Sequence, residues 1–322
     1  MFSLVVPVYR NEDSIVELVS VLEGLSQEMG GDFEAVLVVD GSPDRSATLL
    51  AELLPQARLQ SQLLVLSRNF GSFAAIRAGM AAARGQMIGV MSADLQEPAE
   101  LILAFRETLL TGQYDVVVGT RVGRGDSLGN RLASSIFWWL YRSLVQPEVP
   151  KGGVDVFACT REFRDHLLAL PERNTSLVGL IFWLGFRRGE VPYTRLPRKH
   201  GRSAWSFRRR FKYLLDSALA FSDLPVKLIS ASGLVGMLLS AALGLVVLWA
   251  KASGRIQVPG YAATVLTVMF FGGLNSFSLG LIGEYIWRTF ENSKGRPGYV
   301  IAVHRSFERG NSYEQREVQE SR

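Results

Sequence analysis

Oxygen-bearing side chains cluster just after short apolar runs in this sequence. VVDGSPD carries Asp40, Ser42 and Asp44 behind a run ending at Val39, and ADLQEP carries Asp94 and Gln96 behind a run ending at Met91. Pro7 and Tyr9 follow the first run, in PVYRNED. Such acceptors and small polar groups suit a sugar nucleotide held through its base, its ribose and a metal-bridged diphosphate. Plainer readings stand beside this one. D-G-S-P-D is also an ordinary turn that caps a following helix, and Asp94 also reads as a solvated residue at a helix start before Pro98. Two common nucleotide devices are absent. No G-x-G-x-x-G follows the first run, and no G-K-[ST] occurs anywhere.

The elements that must position these groups alternate. Ser3–Val8, Glu34–Val39, Gln62–Ser67, Gln86–Met91 and Asp115–Gly119 read as buried strands. Ile15, Leu18, Val19, Leu22 and Leu25 keep helical spacing, and Ser14 with Glu17 fits a capping box. Ser72–Arg84 and Pro98–Thr111 read as further helices. Strand-helix alternation predicts a mostly parallel sheet covered on both faces, with ligand sites beyond the C-terminal strand ends. Met1 to Val8 lacks a basic leader and reads as the first strand rather than a signal peptide.

Composition narrows the class. The 322 residues are 48% hydrophobic and 20% charged, which excludes wholesale disorder. A single Cys159 excludes an internal disulfide and a cysteine metal cluster. Leu228 to Ala250 and Tyr261 to Gly283 are uncharged runs, each long enough to span a bilayer as a helix. Ten basic residues against Glu190 alone fill the stretch from Arg187 to Lys212, with Trp205, Phe207, Phe211 and Tyr213 interleaved. That pattern reads as a helix lying on anionic lipid rather than as a nucleic-acid surface. A second interfacial helix is expected around Ile136 to Tyr141. Basic residues flank the two runs more densely than the loop between them, which holds Lys251 and Arg255. The bias puts both termini and the N-terminal domain in the cytoplasm of a multi-pass inner-membrane protein.

VVPVYRNEDSI, VLVVDGSPDRS, SRNFGSFAAIRAGMAAARG and MSADLQEPAE resemble the family 2 glycosyltransferases of the GT-A fold. GTR, GGVDVFACTRE, RKHGRSAWSFRRRFKYLLDSALAFSDLP and IGEYIWRTFENSKGRPGYVI extend the likeness to the dolichol-phosphate-mannose-synthase branch and its bacterial polyprenyl-phosphate glycosyltransferases. The resemblance implies an α/β, Rossmann-like GT-A domain over residues 1–200, an amphipathic juxtamembrane segment over 201–226, a transmembrane hairpin over 227–285 and a cytoplasmic tail over 286–322.

It also implies roles. Asp94 and Gln96 would hold Mg2+ or Mn2+ on the donor diphosphate. Pro7, Tyr9 and Asp40 would join them around a UDP- or GDP-linked sugar. Arg68, Asn69 and Gly71 would lie beside that donor. Asp155 is the candidate base or acceptor-orienting carboxylate; because a phosphate monoester is already ionised at neutral pH, it need not remove a proton, and binding on the metal side and aiming the phosphate both stay open. Arg121, Arg124, Arg131, Arg198, Arg202 and Ser203 would meet the phosphate of a polyprenyl lipid such as undecaprenyl phosphate; without the resemblance the first three read as surface charges. The chain departs from the pattern at Val39 and Ser92, where the family has acids, and at Ala204, where it has Lys. Those losses keep open a non-catalytic membrane partner that retains the fold. A processive polysaccharide synthase is disfavoured, because Q-x-x-R-W is missing. Membrane lipids are expected partners, nucleic acid is not, and a homo-oligomer stays open.

Overall fold

The computed structural model describes residues 1–122, 139, 141–143, 146–150, 154, 156–170, 176–197, 216–217, 221–222, 224–253, 260–308 and 311–314. Its strands are β1 (Phe2–Val8), β2 (Phe33–Val39), β3 (Gln60–Leu66), β4 (Met87–Val90), β5 (Val116–Arg121), β6 (Phe157–Thr160), β7 (Arg188–Tyr193), β8 (Ile301–Glu308) and β9 (Asn311–Glu314). Among the described residues they form one sheet in the order β7-β5-β6-β4-β1-β2-β3-β8-β9. β1, β2, β3 and β4 pair in parallel, as do β5 and β7. β6 runs antiparallel between β4 and β5. The result is a mixed, mostly parallel sheet.

Period-2 alternation explains why both faces are covered. Leu4, Val6 and Val8 of β1 share one core with residues of α1 (Ile15–Glu28), α2 (Ser46–Leu53) and α4 (Ala99–Leu110). Val5, Val36 and Val38 share the opposite core with α3 (Ser72–Ala82), α5 (Arg161–Ala169) and α6 (Leu177–Trp183). Each such buried aliphatic side chain contributes about 1.5–3 kcal/mol, so a one-residue slip in β1 would expose a whole row. Pro7 interrupts nothing on the β4 side. β4 pairs with β1 only as far as Val5, so beyond it β1 has a partner on one side alone.

The five expected strands and first three expected helices are present, with ends shifted by a few residues. The expected capping box is not. Ser14 makes no side-chain cap on α1. Its Oγ instead lies 3.0 Å from the Asn11 carbonyl and 2.9 Å from the Ala93 carbonyl, so it ties the start of α1 to the ADLQEP turn.

Two long helices follow, α7 (Leu224–Ala252) and α8 (Tyr261–Ser293). Leu238, Val246, Trp249, Met269, Phe270 and Phe277 are exposed along them. Among the described residues, no helix is long and apolar enough to cross a membrane. Arg288 of α8 donates to Asp216 Oδ1 at 2.6 Å and to Glu284 at 3.0 Å, which fixes α8 to the segment ahead of α7. The chain expected as a tail returns to the sheet: β8 pairs antiparallel with β3 over Ser61–Leu66.

Candidate active site

The C-terminal ends of β1, β2 and β3 meet in a tightly bonded corner. Asp40 is buried, and its two carboxylate oxygens accept from the Phe70 amide at 2.7 Å and the Gly71 amide at 2.8 Å. These are the donors at the entry to α3, where a carboxylate also complements the helix dipole. Burial pushes the Asp40 carboxyl above its ordinary value, and the two amides and Arg68 work against that push. Gly41 is required beside it. At φ +55° a Cβ there would stand 2.3 Å from the Arg68 carbonyl carbon, so only glycine lets the 67–71 loop close over this turn.

Asp44 is clamped in the same corner. It accepts from Ser42 Oγ at 2.6 Å, Ser46 Oγ at 2.9 Å, the Ser46 amide at 3.2 Å and the Glu12 amide at 3.2 Å. Partial burial raises the Asp44 carboxyl, but these bonds outweigh it and hold the group below the usual carboxylate range. Ser42 also accepts from the Arg10 amide at 2.8 Å, and Arg10 is held at φ +57°. Tyr9 is left exposed at the mouth, with the Arg10 guanidinium 5.5 Å from its ring centre.

A different chemistry occupies the ends of β4, β5 and β7. The turn after β4 puts Leu95 at φ +54°, a left-handed conformation costly for a branched side chain. The turn leaves Asp94 half-buried at the edge and folds Glu97 back into the protein. Ser92 Oγ lies 2.9 Å from Asp94 Oδ1 and is also bonded to Glu97 Oε2, which accepts the Ser92 amide at 3.2 Å. Burial raises the Glu97 carboxyl and Asp94 adds to the rise, while bonds from Ser92 and the charge of Arg195 oppose it. Tyr193, at the end of β7, is raised by burial and by Glu97, and lowered by Arg121 and Arg195. Arg121 lies opposite Tyr193 in register, so its guanidinium belongs to this cluster.

Gln96 is bonded to the chain that follows β7. Its Oε1 accepts from Arg195 Nη2 at 2.7 Å, its Nε2 donates to the Leu196 carbonyl at 3.2 Å, and its own carbonyl accepts the Leu196 amide at 2.9 Å. A cation at Oε1 would have to displace a guanidinium, so the amide stitches the ADLQEP turn to the chain after β7. Among the described residues no three of His, Cys, Asp and Glu gather as a metal cluster. A hard cation shared with a diphosphate needs only one or two protein carboxylates, and Asp94 is the half-buried carboxylate at this edge that could supply one.

The structure thus brings Asp94, Gln96 and Arg121 together, and sets Pro7, Tyr9 and Asp40 in the neighbouring corner. Arg68, Asn69 and Gly71 form the loop that closes on Asp40. Arg124, Arg131, Asp155, Arg198, Arg202 and Ser203 lie outside the described residues.

Residues 3–168 match the family described as glycosyl transferase family 2. The chain belongs to that family. An uncharacterised glycosyltransferase of Synechocystis is 32% identical over 301 residues, covering 93% of this chain and 94% of the relative. The uncharacterised glycosyltransferase YkcC of Bacillus subtilis is 33% identical over 302 residues, covering 93% of each. An undecaprenyl-phosphate 4-deoxy-4-formamido-L-arabinose transferase of Klebsiella pneumoniae is 32% identical over 305 residues, covering 93% of this chain and 92% of the relative.

Three residues of this candidate site escaped sequence reasoning: Glu97, Arg195 and Tyr193. Glu97 carries a weak signal, an acid between Gln96 and Pro98, yet only the left-handed Leu95 turns it inward. Arg195 and Tyr193 carry none, because the parallel pairing of β7 with β5 brings them in from about a hundred residues away.

Proposed function

We propose that this glycosyltransferase moves one sugar from a UDP- or GDP-linked donor to the phosphate of a polyprenyl lipid, with inversion at the anomeric carbon. The observation that carries the reading is the β4 turn: one edge carboxylate, Asp94, set among Arg121, Arg195 and buried Glu97 at the C-terminal end of the sheet. The relatives whose names specify undecaprenyl phosphate, similar over nearly the whole chain, support the choice of acceptor.

In the reaction a phosphate oxygen of the lipid attacks the anomeric carbon from the face opposite the leaving group. The bond from that carbon to the diphosphate oxygen breaks, and the nucleoside diphosphate departs with the electron pair. Asp94 would hold a Mg2+ or Mn2+ ion, which when bound supplies positive charge to the departing diphosphate. Arg121 offers a guanidinium fork to phosphate oxygens on the same side. Tyr9 offers an exposed ring at the mouth of the Asp40 corner for the donor base. Arg131, Arg198, Arg202, Ser203 and Asp155 are assigned to the acceptor phosphate on resemblance alone.

The membrane reading rests on the sequence runs from Leu228 to Ala250 and Tyr261 to Gly283. The exposed apolar side chains along both α7 and α8 support it. A hairpin in the inner membrane, with the sheet domain and both termini cytoplasmic, would let the site reach a lipid headgroup without extracting its tail. The reading is tested by incubating membranes that contain the protein with labelled sugar nucleotides. A labelled, single-sugar lipid phosphate is expected; label released only as free sugar, or no transfer with any donor, contradicts it.

A further inference from the structure

We propose that β8 is a positioning strand for the donor corner: latched to the sheet at one end, it holds the 67–71 loop closed over Asp40 at the other. This role rests on the reading of that corner as the place of the donor base, and adds the segment that keeps it shut.

The strand meets the corner through a backbone bond. The Ser67 amide, where the loop leaves β3, donates to the Val300 carbonyl at 2.9 Å. Further along the same loop, the Phe70 and Gly71 amides donate to Asp40. Phe70 and Tyr299 are both partly buried against the core on the α3 face. Just inside this contact the β3–β8 register shifts. Val65 faces Val303 and Leu66 faces Ile301, so Ala302 is an extra residue on β8. A bulge of this kind bends its strand and re-aims what lies beside it. Here the bend lies between the regular ladder and the Val300 contact.

The other end is fastened by side chains. Glu34 is fully buried and accepts from Ser3 Oγ at 2.6 Å, the Arg84 amide at 3.0 Å and Gln62 Nε2 at 2.7 Å. Gln62 Nε2 also donates to the Ala82 carbonyl at 2.9 Å. Two acceptors on that nitrogen fix which way the amide points. Gln62 Oε1 therefore faces His304 Nε2, at 2.7 Å, and the imidazole is the donor. Arg84 Nη2 adds a bond to Ser306 Oγ at 3.2 Å. His304 through Gln62, and Ser306 through Arg84, thus tie β8 to one buried carboxylate. Gln62 and Ser67 are separated by about 16 Å along the strand, so this latch is remote from the loop.

Coupling follows from mass action. A nucleotide that binds only the closed corner stabilises the closed loop, and with it every contact that closing requires. Occupying the corner should therefore slow the opening of β8 as far as His304. Weakening the latch should loosen the loop from the far end.

The test is hydrogen exchange of the purified full-length protein, read by mass spectrometry on peptides covering 67–71, 299–308 and α5, with and without UDP or GDP. In wild type the nucleotide that binds should slow exchange in 67–71 and in 299–308 together, up to about a hundredfold at a hundred times its dissociation constant, and leave α5 unchanged. Without nucleotide, His304→Ala should speed exchange in both segments roughly tenfold. His304→Gln, which keeps a donor toward Gln62, should reverse most of that change, and Arg305→Ala on the same strand should leave both segments as in wild type. Slowing in 67–71 alone, equal slowing in α5, or faster exchange of 299–308 in His304→Ala with 67–71 unchanged overturns the inference. A wild type in which neither nucleotide slows exchange in 67–71 overturns the donor reading of the corner instead, and the His304→Ala arm then still decides whether strand and loop open together.

Discussion

Two acidic turns of this glycosyltransferase look alike in sequence and differ in what their carboxylates are for. VVDGSPD and SADLQEP each follow a buried parallel strand, and each lacks one acid that the family resemblance leads one to expect. In the first turn, both oxygens of Asp40 go to the amides of Phe70 and Gly71, and Asp44 gathers four donors from Ser42, Ser46 and Glu12. These carboxylates are mortar between loops. In the second turn, Asp94 sits at the edge with Glu97 behind it and two guanidiniums nearby, an arrangement that leaves charge concentrated at one point. Position after a strand end brings an acid to the sheet edge; the proposed division is that an acid on which backbone amides converge builds the corner, and one with fewer such bonds takes part in the chemistry.

The contrast is open to direct attack. The largest effect is expected at Asp94. Asp94→Asn should lower sugar transfer roughly 10²-fold or more while the melting temperature stays near wild type, as judged by a transfer assay beside a thermal melt. Asp40→Ala should do the reverse in kind. It leaves two part-buried amides without acceptors, so urea unfolding should show a loss of about 2–4 kcal/mol, with donor affinity falling only as the fold loosens. Gly41→Ala should behave like Asp40→Ala, because its Cβ would collide with the backbone of Arg68 at a left-handed φ.

A smaller effect is expected away from both turns. Arg202→Ala should raise the apparent KM for polyprenyl phosphate roughly tenfold with donor binding unchanged, and lysine there should rescue only in part. Weakened nucleotide binding with unchanged acceptor kinetics would place the two substrates the other way round. The smallest effect concerns pH. The Asp44 carboxyl is held below its ordinary range in the folded chain, so its contribution to stability is present above that range and is lost as pH falls through the lowered value. The stability gap between wild type and Asp44→Asn should therefore be widest near neutral pH and close in acid; a gap that widens in acid would refute the clamp.

The first half of the sheet was legible because its strands are mostly apolar and separated by helices with clean periodicity. The edge of the site was not. β6 is the four-residue FACT, and β7 reads RGEVPY, with charges and a proline that hide a strand. Their pairing brings Tyr193 and Arg195 beside ADLQEP, a long-range fact that no local pattern encodes. Within the turn, the place of Asp94 after a strand end was legible, whereas the burial of Glu97 was not, because it depends on the left-handed Leu95. The bond from Arg195 to the Gln96 side chain is a long-range contact of the same kind. Ser14 was read as a helix cap and turns out to brace the same turn through Ala93.

The division of labour between the two turns meets its most direct test in one titration. Wild type, Asp94→Asn and Asp40→Asn are each titrated with Mn2+ in the presence of the preferred donor nucleotide, with binding followed alongside fold integrity. Asp94→Asn should lose cation binding while remaining folded, and Asp40→Asn should retain it in every molecule that folds. Normal cation binding by Asp94→Asn, with loss in a fully folded Asp40→Asn, would contradict the account.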